Sequence, residues 1–463
     1  MTNRLLIECG WIVSVDPKIG DLKNAKILVE GDKIVEIGVN IDAQVDEVLD
    51  ATDMIVMPGL INSHLHVWQT GTKLMGSEWV SPDYHKNMHA NIATLYTAED
   101  TYLGNLFGSL NQINGGTTTV FDWCHNLRDL AMAERALDGL EESKIRAIFG
   151  HGTAKPPTIE GETPYTHVPH PRDRIDHLRN TRLHDDDALV TLAMAILGPE
   201  FGNFDIAIQD MQMAHELDLL STAHVWNGFN KNLSAEEQIK DAYIQLGKLG
   251  LLGPDHNIVH GNYMAEDQVR YVIDQGCSIT STVMCEIHGH GAHPLTGIVR
   301  EMGALPSIGT DTTTLVAEDM FGEMRGSLFA LRFQISHEAR ERGDYPLKKM
   351  PVASREALEW ATIGGAKAMM LDDKIGSLTP GKRADIVMLR ANDLNLFPVH
   401  DPVYSITELA TAANVEHVLI NGEFQKRDGK LMYPEAKLDK LRVDVLASAD
   451  RLMDEANYRP QAA

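Results

Sequence analysis

Pro58-Gly59-Leu60-Ile61-Asn62-Ser63-His64-Leu65-His66 marks the point at which the texture of the chain changes. Before it, the apolar runs LLIECGWIVSV (5–15), AKILVEG (25–31) and KIVEIG (33–38) are broken by Pro17, Gly20, Gly31 and Asp32, the pattern of a small β-sheet. After it, β-branched apolar runs alternate with longer helical stretches until about residue 370, which argues a parallel sheet. The runs are GLINSHLH (59–66), TTTVFDW (117–123), RAIFGHG (146–152), LVTLAMAI (189–196), LLSTAHV (219–225), NIVHGNY (257–263), SITSTVM (278–284) and LPSIGTD (305–311). There are eight of them, the number a closed barrel requires, so the expected fold is α/β, a TIM-like (β/α)8 barrel. Residues Ala98 to Asn114 and Leu130 to Ser143 carry apolar side chains at three- and four-residue spacing and are expected to be two of the intervening helices.

Beyond the last run, GSLTPGKRADIVML (376–389) and VEHVLINGEFQKRDGKLMY (415–433) return to the strand-and-turn texture of the first fifty residues. The two ends are expected to pair into one small β-sandwich domain, residues 1–57 with 372–435, around a barrel spanning 58–371. Residues 436–463 then form a helical tail, expected to be a surface helix or a partner contact.

The bulk chemistry narrows the partners. Of 463 residues, 43% are hydrophobic and 23% charged, enough apolar material for a large core. The 66 acidic against 41 basic side chains give a formal charge of −25, which repels phosphate backbones and anionic lipid, so neither nucleic acid nor membrane is an expected partner. Four scattered cysteines make neither a disulfide framework nor a CxxC metal site. No run approaches the roughly 20 apolar residues of a membrane span, and the expected location is cytoplasmic.

Barrel enzymes place their chemistry where strands end at the C-terminal face, so the polar residues closing each run matter most. His64 and His66, two apart on an extended chain, face the same side. His224 closes the fifth run, His260 lies in the sixth and Asp311 closes the eighth. Imidazoles with one carboxylate suit a divalent ion, Zn2+ foremost, with Fe2+, Co2+ and Mn2+ acceptable to the same ligands. Unpaired polar groups at such positions cost free energy unless something binds them.

PGLINSHLH, His224, VHGN (259–262), GTD (309–311) and GSLTPGKRADIVML together resemble the amidohydrolase superfamily, in its triazine-hydrolase and cytosine-deaminase-like branch. The resemblance covers essentially the whole chain. It implies that His64, His66, His224 and Asp311 bind one metal, that His260 binds it or orients a substrate carbonyl, and that Asp311 shuttles the proton between an attacking water and a leaving nitrogen. Relatives with two metals use a lysine on the fourth strand, but LVTLAMAILGPE contains none, so one metal is expected. The resemblance also implies a homo-oligomer acting on a small molecule.

The chain departs from that pattern at one position. Deaminases of the branch carry a glutamate three residues after the fifth-strand histidine; here it is Asn227, which cannot carry a proton. Glu286 is a candidate replacement, or else the partner in a loop salt bridge. His288, His290 and His293 lie among glycines in the same segment, and His288 is a candidate substrate contact. Trp68, Trp123 and His125 either stack on an aromatic substrate or simply pack. Residues 153–182, rich in Pro and His, form either a lid or a subunit contact. The expected activity is hydrolysis of a non-peptide C–N bond in an amide, urea or carbamate of a small aromatic compound. The alternative is deamination or dehalogenation of a nitrogen heterocycle; a barrel that has lost catalysis would have lost a ligand, and none is missing.

Overall fold

The computed structural model describes residues 3–460, with every side chain in that range except that of His290. Eight parallel strands follow one another around a barrel: β5 (Leu60–Leu65), β6 (Thr117–Leu127), β7 (Arg146–Thr153), β8 (Val190–Ile196), β9 (Ser221–Val225), β10 (His256–His260), β11 (Ser278–Ser281) and β12 (Ser307–Ile308). Each coincides with one of the eight apolar runs. Strand β6 is buried along its whole length, as expected where helices cover one face of a parallel sheet and the barrel interior fills the other.

The seventh run is shorter than its composition suggests. Its last residues turn into a helical loop after Ser281, because the buried carboxylate of Glu323 accepts the backbone N–H groups of Val283 (2.6 Å) and Met284 (3.3 Å) and draws them out of the ladder.

Closure between first and last strands is made by a parallel bridge between Leu65 and Asp311. The N–H of Asp311 donates to the carbonyl of His64 (3.0 Å), and that of His66 donates to the carbonyl of Asp311 (2.7 Å). Only a glycine permits this approach. A Cβ at Gly309 would lie 2.5 Å from the His64 nitrogen. Asn62 fastens the seam further: its amide donates to Thr310 Oγ1 (2.7 Å), and its carbonyl oxygen accepts the Thr310 N–H (3.1 Å). The seam that closes the barrel is therefore also what sets Asp311 beside His64 and His66.

The flanking helices start where their caps dictate. Ala98–Asn114 opens on a capping box between Thr97 and Asp100, and Leu130–Ser143 opens where Asp129 accepts the Met132 N–H (2.9 Å).

The two chain ends meet in one eight-stranded sheet of β1 (Arg4–Val13), β2 (Asp21–Glu30), β3 (Lys33–Gly38), β4 (Glu47–Pro58), β13 (Ile386–Arg390), β14 (Val415–Ile420), β15 (Glu423–Arg427) and β16 (Lys430–Leu431), in the order 16-15-14-13-4-1-2-3. One face builds a core of its own from Ile7, Ile27, Val56, Ile386 and Leu419. The other face sends Ile55, Met57, Val387 and Val418 into the barrel's core. The tail is a helix, Glu435–Glu455, and it packs within the chain: Leu441 joins Leu103, Leu106 and Leu110 of the helix Ala98–Asn114. No described helix is long and apolar enough to cross a membrane.

Candidate metal centre

At the C-terminal mouth of the barrel, His64, His224, His260 and Asp311 are all buried and offer one ligand atom each within 4.8 Å of one another. His64 Nε2 lies 3.2 Å from Asp311 Oδ1 and 3.2 Å from His224 Nε2. His66 joins them, with Nε2 3.4 Å from Asp311 Oδ1. Two of these residues, His260 (φ 71°) and Asp311 (φ 64°), hold left-handed backbone that non-glycine residues rarely adopt. Strain of that kind persists where the surroundings over-determine it, and it clusters at functional sites.

The donor set fits a divalent ion. Burial pushes His64 down and His66 down to about 3, and it carries His224 well below the ordinary imidazole value, so all three rings are neutral. Burial alone would raise the Asp311 carboxyl, but the His64 hydrogen bond and the neighbouring imidazoles hold it well below its ordinary value. Neutral imidazoles around an ionised carboxylate are the protonation states a metal requires. The His66 ring is fixed in orientation: its Nδ1–H donates to the Trp123 carbonyl (2.8 Å), which leaves Nε2 to face Asp311. His260 is set in the same way, with Nδ1 3.3 Å from Glu286 Oε1 and 3.2 Å from Thr282 Oγ1. In contrast, His64 Nδ1 and His224 Nδ1 are buried without a hydrogen-bond partner.

Above the cluster lies a cavity. Rings dominate its walls: Tyr84, His85, His89, His125, Trp226 and His288. Trp226 stacks over His260 (5.4 Å, 22° between planes) and lies parallel to His224 (6.1 Å, 16°). Trp79, also on the wall, donates from Nε1 to the Tyr458 hydroxyl (2.9 Å), so the end of the chain braces the cavity.

The residues singled out from sequence divide into two groups. His125 and His288 line the cavity beside His66, His224, His260 and Asp311. Trp68, Trp123, Asn227 and Glu286 do not line it. Trp68 is a core ring packed edge-on to Tyr96 and His125. Trp123 lies beneath the site, its ring centroid 4.0 Å from that of His224. Glu286 is fully buried behind His260 and also accepts the Thr282 N–H (2.9 Å), so it touches the ring that faces the cavity and not the cavity itself. Asn227 turns aside to donate to Glu200 Oε1 (3.1 Å), in an adjoining cleft. Glu200 Oε2 accepts the N–H groups of Asn227 and Gly228 (2.9 Å each) and of Trp226 (3.3 Å), and thereby shapes the loop that presents Trp226.

Sequence reasoning missed much of the wall: Trp79, Tyr84, His85 and His89, in the long segment after β5, Trp226 just past β9, and Lys155. The last stands two residues past β7, and a lysine so close to the C-terminal end of a barrel strand was the signal available. Of the 153–182 segment, Lys155 is inside the cavity, and Arg172–Asn180 is a helix. The His290 side chain is outside the described set.

The amidohydrolase family model matches residues 55–424. The chain belongs to the amidohydrolase family. Membership, with its deaminase-named relatives, makes it a hydrolase acting on carbon–nitrogen bonds. It is 26% identical over 467 residues to a 5'-deoxyadenosine deaminase of Methanosarcina mazei, covering 98% of this chain and 99% of that one. It is 25% identical over 422 residues to a 5-methylthioadenosine/S-adenosylhomocysteine deaminase of Pyrococcus abyssi, covering 89% and 91%. Among solved structures, the amidohydrolase fold is shared with an adenosine deaminase from Xanthomonas campestris with bound zinc (TM-score 0.80, 21% identity, 97% and 98% covered). It is shared equally with the atrazine chlorohydrolase of Arthrobacter aurescens TC1 complexed with zinc (TM-score 0.83, 19% identity, 96% and 100% covered).

Proposed function

We propose that this amidohydrolase removes an amine from a small, flat nitrogen heterocycle by hydrolysing an exocyclic C–N bond, with one divalent metal, zinc foremost, held by His64, His66, His224 and Asp311. The observation that carries the reading is the cluster of neutral imidazoles and one carboxylate at the floor of a ring-lined cavity. A divalent ion there would supply a water acidified towards neutral pH and a Lewis acid for the charge that develops during attack. Asp311 takes the water's proton on Oδ and returns it to the leaving nitrogen. His260, fixed through Nδ1 by Glu286 and Thr282, turns Nε2 towards the reacting carbon's substituents and stabilises charge there. Trp226 and the imidazoles of His85 and His125 hold the ring by stacking and exclude water. The substrate is a small molecule, and the enzyme acts in the cytoplasm as a homo-oligomer.

Support for a heterocycle comes from the relatives, which are named as deaminases of adenine nucleosides, and from the triazine-acting neighbour. A second reading, cleavage of an aryl amide, urea or carbamate, is favoured by Asn227: it brings no acid, and its amide is spent on Glu200, whereas these substrates need no ring protonation.

The test is a zinc-reconstituted sample incubated with aminated purines, pyrimidines and triazines alongside aryl amides, phenylureas and carbamates, with products followed by mass spectrometry and an Asp311→Asn control. Ammonia or amine release from heterocycles alone supports the first reading. Cleavage confined to the amide, urea and carbamate set replaces it with the second.

A further inference from the structure

One charged group on the cavity wall has no part in the hydrolytic reading above. Lys155 is the amine of the cavity wall, 9% exposed just past the end of β7; burial pulls it down to about 7, against the charges of Glu200 and Asp311, which favour its ammonium form. Its ammonium lies 3.6 Å from the centroid of the Phe201 ring and 5.7 Å from that of Trp123, so aromatic faces hold it in place. The two carboxylates nearest in charge, Glu200 and Asp311, are committed elsewhere: Glu200 to three backbone N–H groups and Asn227, Asp311 to His64 and His66. Among the described residues Lys155 enters no ion pair, in a chain whose acidic side chains outnumber basic ones 66 to 41. A buried ammonium without a counter-ion is costly, and stacking on rings offsets only part of that cost.

We infer that Lys155 is the recognition residue for a carboxylate carried by the substrate, which supplies the missing counter-ion when it enters the cavity. One ammonium with no arginine beside it on the wall matches the single negative charge of a carboxylate. The inference rests on the cavity being the substrate site, and it narrows the substrate class to flat heterocycles bearing a carboxylate. Lys155 is a specificity-determining residue in this account and takes no part in bond cleavage.

The test is binding, so that it does not depend on turnover. Nicotinate and nicotinamide, and benzoate and benzamide, are titrated calorimetrically into the zinc-reconstituted protein and into its Lys155→Met and Lys155→Arg variants, with metal content and circular dichroism checked for each. The expected result is a preference of at least about 10-fold for each carboxylate over its amide in the unmodified protein, reduced below about threefold in Lys155→Met and largely kept in Lys155→Arg. Equal binding of carboxylate and amide by the unmodified protein, or no binding of either, overturns the inference, and this arm needs no variant. A preference that survives intact in Lys155→Met also overturns it, because the metal would then be the carboxylate's partner. If the preference follows Lys155 while the hydrolysis panel yields nothing, the recognition stands and the proposed reaction falls.

Discussion

The two ends of strand β7 bury positive charge in opposite ways. At its start, Arg146 donates from Nε to Asp385 Oδ2 (2.8 Å) and from Nη2 to Asp385 Oδ1 (3.1 Å), with Asn421 Oδ1 at 3.1 Å. The Asn421 N–H in turn donates to Asp385 Oδ1 (2.8 Å). This joint ties the barrel to the sheet made from both chain ends, and both of its charges are satisfied. Just past the strand's other end, Lys155 has rings around it and, among the described residues, no ion pair, while His64 Nε2 lies within 3.2 Å of both Asp311 Oδ1 and His224 Nε2. In a barrel, loops at the C-terminal face carry chemistry and the opposite face carries stability. One strand shows the difference at the level of single side chains: saturation where the protein holds itself together, and a buried amine without an ion pair where a ligand is proposed to bind.

Substitutions at the two ends should separate along that line. Asp311→Asn keeps the side chain's shape and removes its charge and basicity, so turnover should fall on the order of 10³–10⁴-fold while the melting temperature stays level or rises. Steady-state kinetics beside calorimetry measures both, and a large loss of stability with modest loss of turnover would erase the contrast. Arg146→Met does the reverse. It strands a buried Asp385, costing about 3–5 kcal/mol, and below the lowered melting temperature kcat should be nearly unchanged. A fall in kcat without a fall in melting temperature would mean the joint has a catalytic part.

A smaller effect sharpens the comparison through pH. Asp210, in the helix Phe204–Glu216, is pushed by burial up to about 7 against the pull of the His170 N–H it accepts (2.8 Å). Because the folded value lies above the unfolded one, its stabilising share is complete below about pH 4 and is lost as pH rises towards 7. Asp210→Asn should therefore flatten the decline in melting temperature from pH 4 to pH 8 and leave the variant more stable at pH 8, by at most on the order of 4 kcal/mol. Parallel curves for the two proteins would show that Asp210 is not held in its protonated form. At the small end, Arg172→Ala breaks exposed pairs with Asp176 and Glu216, and melting curves should not move detectably.

Much of this was legible before any coordinates. The eight runs became the eight strands because parallel strands buried on both faces must be continuously apolar, a pattern that survives in sequence. His64, His66, His224, His260 and Asp311 were legible because they close or follow those runs. What could not be read is what depends on contacts between distant segments. Glu323, 40 residues away, shortens the seventh strand at Val283. Glu286 faces His260 and not the cavity, Asn227 turns to Glu200, and Trp68 packs on Tyr96, each settled by a neighbour that spacing does not reveal. The cavity walls come from the loops after β5, β7, β9 and β11, where no periodicity constrains side-chain direction.

The central claim is that the imidazoles and carboxylate converging at the barrel mouth belong to a metal. The most direct test is the metal content of the purified chain, by native mass spectrometry and elemental analysis after zinc reconstitution, for the unmodified protein and for His64→Ala/Asp311→Ala. One zinc per chain in the first and none in the second is the predicted result. A folded unmodified protein that binds no zinc, or a double variant that keeps it, would contradict the account.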